Sequence, residues 1–122
     1  MADKLMILLV DTDPFDTVTL VTIVSQATVA VAMEFDVELL LTGQCWVLAK
    51  ENLARSLEIP SEGGRTVAEL LHQAHAAGVK IKVCPPPHTE WSDGFLEAID
   101  EIVGNAYIIS EAMDDETVTF TY

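Results

Sequence analysis

Leu5 to Val10 is an unbroken aliphatic run that stops at Asp11, the pattern of a strand buried on both faces. Thr12 to Asp16 (Thr-Asp-Pro-Phe-Asp) reads as a loop and helix start, with Asp13 or Asp16 available as N-cap. Val and Thr recur from Thr17 to Met33, and β-branched residues favour strands. A single strand of that length would be abnormal, so length predicts a helix packed on the sheet. Val37 to Leu41 gives a second buried strand, ended by Thr42-Gly43. Gln44 to Leu57 reads as a loop leading into a short helix, and Ile59 to Gly64 as a break. Thr66 to Ala77 is the clearest amphipathic helix, with Val67, Leu70, Leu71, Ala74 and Ala77 on one face and Gly78 as its stop. Val79 to Val83 alternates apolar residues with Lys80 and Lys82, a third strand carrying both lysines on one side. Cys84 comes next, and Pro85-Pro86-Pro87 then ends sheet pairing because proline has no N–H to donate. Between Trp91 and Ile102 the pattern fits either a loop with a short helix or an edge strand near Ile102-Val103. Asn105 to Met113 reads as helix and Thr117 to Thr121 as the last strand.

Strands alternating with helices predict a three-layer α/β/α sandwich around a mostly parallel central sheet of about four to five strands with right-handed crossovers. The 122 residues fit one domain spanning 1–122. Half of the residues are apolar, and a mean hydropathy of +0.32 is high for so small a domain. Surplus aliphatic surface of this kind predicts a homo-oligomer.

Charge narrows the partners. Six Lys and Arg stand against 20 Asp and Glu, a net charge of −14. Phosphate backbones and anionic membranes repel such a chain, so neither nucleic acid nor membrane is an expected partner. The first aliphatic run is cut by Asp11, Asp13 and Asp16, too early for a signal peptide. Val18 to Met33 is too short and too interrupted by polar residues for a membrane span. Two cysteines make no disulfide framework, and free thiols point to the cytoplasm.

In open parallel sheets, reactive groups gather beyond the carboxyl ends of the strands. The Asp11 to Asp16 loop, the Thr42 to Trp46 loop and Cys84 all fall there. A cysteine facing helix N-termini can be activated as a thiolate nucleophile; a cysteine considered alone is more often a small buried hydrophobe. Cys45 has a similar address. His88, four residues beyond Cys84, could orient or deprotonate a thiol. Cys84 and His88 alone are too few ligands for a structural zinc, and His72 and His75 read as a solvated pair. The acidic clusters Glu97/Asp100/Glu101 and Asp114-Asp115-Glu116 lack calcium-loop spacing and read as solvated faces. The first strand is followed by Asp-Thr-Asp rather than a glycine-rich loop, which argues against nucleotides.

The order of these pieces resembles the DsrE/DsrF-like family of small sulfur-relay proteins, which includes the TusD and YchN types. The likeness rests on Thr12 to Phe15 after the first strand, the long Ala/Val/Thr helix, and Met33 to Val37 entering a strand that stops at Thr42-Gly43. It continues through Val67 to Leu71, Ala76 to Ile81, Val83-Cys84-Pro85-Pro86 and Asp115 to Phe120. The resemblance implies that Cys84 accepts sulfane sulfur as a persulfide and passes it to an acceptor protein, with no metal or organic cofactor. Asp11, Thr42, Cys45 and His88 are the candidate supporting residues. It also implies trimers or hexamers, of this chain alone or with related subunits. Some relatives carry a second cysteine three residues on, where this chain has Pro87, so the expected chemistry is single-thiol carriage unless Cys45 comes near. The alternative is a non-catalytic binding or assembly module of the same fold, with Cys84 as a structural thiol.

Overall fold

The computed structural model describes residues 2–87 and 94–122. Five strands form the central sheet: β1 (Lys4–Leu9), β2 (Asp36–Leu41), β5 (Lys80–Val83), β6 (Ile99–Ile102) and β7 (Thr117–Thr121), in the order β6-β5-β2-β1-β7. Every neighbouring pair is parallel. A small antiparallel pair, β3 (Glu58–Ile59) and β4 (Arg65–Thr66), brackets the segment read as a break, which holds a 3₁₀ turn (Pro60–Glu62). The expected α/β sandwich is the observed architecture.

Helix α1 (Thr17–Ala32) starts where Asp16 caps it, its carboxylate accepting from the Thr19 N–H at 3.2 Å. Leu20, Ile23, Val24, Ala27 and Ala30 fall on one side of α1 and are buried, so the β-branched residues serve a packed helix. A 3₁₀ helix (Gly43–Ala49) and α2 (Glu51–Ser56) follow β2. Helix α3 (Val67–Ala77) is capped by the Thr66 hydroxyl and ends at Gly78 in the left-handed conformation. Its buried residues are Val67, Ala68, Leu70, Leu71 and Ala74; Ala77 is exposed. The segment left open between helix and strand contains β6, an edge strand.

Direction of winding decides the layers. From β1 the chain winds to β2 and on to β5, and α1 and α3 pack together on one face with Ile7, Leu9, Leu39, Leu41, Ile81 and Val83 beneath them. From β6, at one edge, it returns to β7 at the other through α4 (Asn105–Ala112). With the direction of travel reversed, a right-handed crossover requires the opposite face. Helix α4 accordingly lies against Met6, Leu8 and Leu40, touched by Tyr107 and Ile108. The main core is under α1 and α3; the α4 side is thin.

Candidate functional site

Cys84 continues β5 by one residue, its N–H bonded to the Leu41 carbonyl at 2.9 Å. Side chains alternate along a strand. Val83 enters the core under α1 and α3, whereas Lys82 reaches Tyr107 of α4, so Cys84 shares the α4 face with Lys82. Its Sγ sits 3.9 Å from Oδ1 of Asn105, the first residue of α4. The side chain is 8% exposed at the rim of the sheet, and Pro85 to Pro87 carry the chain away from it, from half-buried to exposed.

Beneath that rim lies a charge cluster that the hydrophobic pattern conceals. Glu38, in the middle of β2, is 2% exposed. It accepts from Lys4, from Lys82 at 3.0 Å and from the Tyr107 hydroxyl at 2.5 Å. Lys4 also holds Glu111 at 2.7 Å, and Lys82 holds Glu101 at 3.1 Å. A buried charge is tolerated only when paired and hydrogen-bonded. Burial acts to raise the Glu38 pKa, but the bonds from Lys4, Tyr107 and Lys82 outweigh it and hold the carboxyl below its usual range. Burial acts to lower the two lysines, and their hydrogen bonds raise them above the ordinary value instead. At neutral pH this is a fixed set of ions, and Lys82 lies two residues, roughly 7 Å along the strand, from Cys84.

Cys45 sits elsewhere. It is fully buried in the core under α1 and α3, with its thiol donating to the Thr12 carbonyl at 2.9 Å. Burial, then the nearby charges of Asp13 and Asp11, push its pKa up to about 11. Such a thiol stays protonated at neutral pH. The two cysteines face opposite sides of the sheet, so Cys45 does not supply a second thiol to Cys84.

The loops carrying Asp11 and Thr42 do come together. Gln44 donates to the Asp11 carbonyl at 2.7 Å and its N–H to Val10 at 3.0 Å, while the Cys45 N–H bonds Thr42 at 2.8 Å. They build a braced strand end around Cys45 on the other face from Cys84. His88 lies outside the described residues. His72 and His75 point to different carboxylates, Glu97 at 3.2 Å and Asp100 at 2.8 Å. The acidic cluster is a solvated face, all three residues being exposed, and it also makes contacts: Glu97 grips Arg55 at 3.0 Å, Glu101 pairs with Lys82, and Asp100 accepts from the Ile81 N–H at 2.9 Å where β5 and β6 slip register. Among the described residues, no group of three or more His, Cys, Asp or Glu converges as for a metal ion, and no helix is long and apolar enough to cross a membrane.

Asn105 and the Glu38 cluster escaped the sequence reading. A lone Glu inside an aliphatic strand was the available signal for the cluster; Asn105 carried none. No protein-family model matches the chain, and no curated protein matches it in sequence.

Proposed function

We propose that this protein is a single-thiol sulfur carrier of the DsrE/DsrF-like kind, with Cys84 as the acceptor. The observation that carries the reading is the position of Cys84: at the carboxyl end of β5, against the first residue of α4, with Pro85 to Pro87 leading from it to exposed chain. Cys45 is locked as a protonated core thiol. In the reaction the Cys84 thiolate attacks the terminal sulfur of a donor persulfide. The new S–S bond forms as the donor's S–S bond breaks, and the donor leaves as a thiolate carrying that electron pair. An acceptor protein's thiolate then attacks the terminal sulfur on Cys84 and releases the Cys84 thiolate. No net oxidation occurs and no cofactor is called for. The polar group beside the Cys84 sulfur is the side-chain amide of Asn105, whose Oδ1 stands 3.9 Å from it.

Incubation with a persulfide donor followed by intact-protein mass measurement tests this. One sulfur atom should add to the wild type and to Cys45→Ser, and none to Cys84→Ser. A sulfur that stays in Cys84→Ser sinks the proposal.

The second reading is an assembly module in which Cys84 is structural, and the 8% exposure of Cys84 favours it. It predicts that no variant takes up sulfur and that Cys84 alkylates as slowly at neutral pH as Cys45.

A further inference from the structure

The two edges of the sheet are built differently. β6 carries Asp100 and Glu101 and a register shift against β5, the usual devices that stop an edge from pairing. β7 reads Thr-Val-Thr-Phe-Thr, with neither charge nor proline. Tyr122 donates to the Leu8 carbonyl at 2.8 Å and accepts from Val10 at 2.8 Å, so its peptide group faces β1. By the two-residue period, those of Val118 and Phe120 face β1 as well, and those of Thr119 and Thr121 point outward along the free edge.

Beside this edge runs an apolar groove of about 660 Å³ between α1 and β7, lined by Leu5, Val29, Met33, Phe35, Val118 and Phe120 among others. Val29 and Met33 are more than half exposed. None of its lining residues is an Asp or Glu, although the chain has 20 of them. Two copies of a molecule of net charge −14 repel over most of their surface, and this face is where they can approach.

We propose that β7 pairs antiparallel with β7 of a second copy across a two-fold axis near Thr119, joining the two sheets. The Thr119 N–H and C=O then bond their symmetry mates, and Val118 lies beside Phe120 of the second copy on the groove side, a favourable branched–aromatic pair. Charge selects the antiparallel arrangement. The acidic run Asp114 to Glu116 precedes β7, and antiparallel pairing sets the two runs about 27 Å apart, more than three Debye lengths at physiological salt. Parallel pairing would stack them. The inference is independent of the chemistry of Cys84, which lies on β5 rather than at this edge.

Light scattering coupled to size exclusion should give the wild type a mass that is an even multiple of the 13.3 kDa chain. Phe120→Lys and Thr119→Pro should each halve that mass with an unchanged circular dichroism spectrum; the proline removes an outward N–H and leaves the β1 ladder intact. Should either variant fail to fold, amide exchange on the wild type decides: Thr119 and Thr121 should be protected when the protein is associated and exchange fast on dilution to the monomer. A monomeric or trimeric wild type, an assembly that both folded variants retain, or fast exchange of the two amides in the associated protein would each overturn the proposal.

Discussion

At Gly43 the backbone takes φ +55°, and a Cβ there would stand 2.2 Å from the Val10 carbonyl oxygen. Both the left-handed conformation and the contact demand glycine. This one residue lets the loop after β2 fold back against the end of β1, where Gln44 reaches Val10 and Asp11. Gly43→Ala is expected to lose at least about 2 kcal/mol of stability, seen as a lower urea midpoint at unchanged slope. The sequence marked Thr42-Gly43 as a strand end, and it marked Cys84 by the proline run behind it. Both are local signals. That Cys84 meets Asn105, 21 residues on, and that Cys45 points into the other face depend on long-range pairing that no local pattern encodes.

Among the elements, α4 is the one whose attachment is unusual. None of its eight residues is fully buried, so apolar packing on Met6, Leu8 and Leu40 is supplemented by ions. Tyr107 bonds Glu38 and Lys82 near its start, and Glu111 bonds Lys4 near its end. Replacing Glu38 by Leu leaves two largely buried lysines without their shared carboxylate. A loss of about 3–5 kcal/mol is expected, a fall of roughly 10 °C or more in the thermal midpoint for a domain of this size. Amide exchange should show α4 loosening before β1 and β2; equal protection in wild type and variant would refute the role assigned to Glu38. The extent of α4 was legible from sequence, and so was the placement of Lys80 and Lys82 on one side of β5. Their carboxylate partner was not, because Glu38 looks like an isolated exception until β2 is set beside β1 and β5.

For the whole molecule the same ions fix the response to pH. Glu38 and Asp100 have pKa values held below the ordinary carboxylate range, in each case because hydrogen bonds from positive or donor groups outweigh burial. Their stabilisation is complete above the unfolded value of about 4 and is lost as pH falls through the depressed folded value. Lys4 and Lys82 are raised; their contribution is complete below about 10.4 and is lost as pH rises through the raised value. The Cys45 thiol, pushed up to about 11, costs stability once pH passes the ordinary thiol value of about 8.5, so thermal midpoints should be flat between about pH 5 and 8.5 and fall at both ends. A maximum near the isoelectric point of about 4.2 would show that general charge repulsion, not this cluster, governs stability.

By itself the sequence determined the main strands and helices, β3, β4 and β6 excepted, because hydrophobic period, capping residues and glycine or proline punctuation act over a few neighbours. It also set the acidic charge and put Cys84 at a strand end. Tertiary structure decided the rest. Returning from β6 to β7, the chain had to cross on the face opposite α1 and α3 to stay right-handed. That crossing brought Asn105 to Cys84, buried Glu38 between two lysines, and left β7 as a bare edge beside an apolar groove. Each of these joins residues far apart in the chain, and strand order is what brings them together.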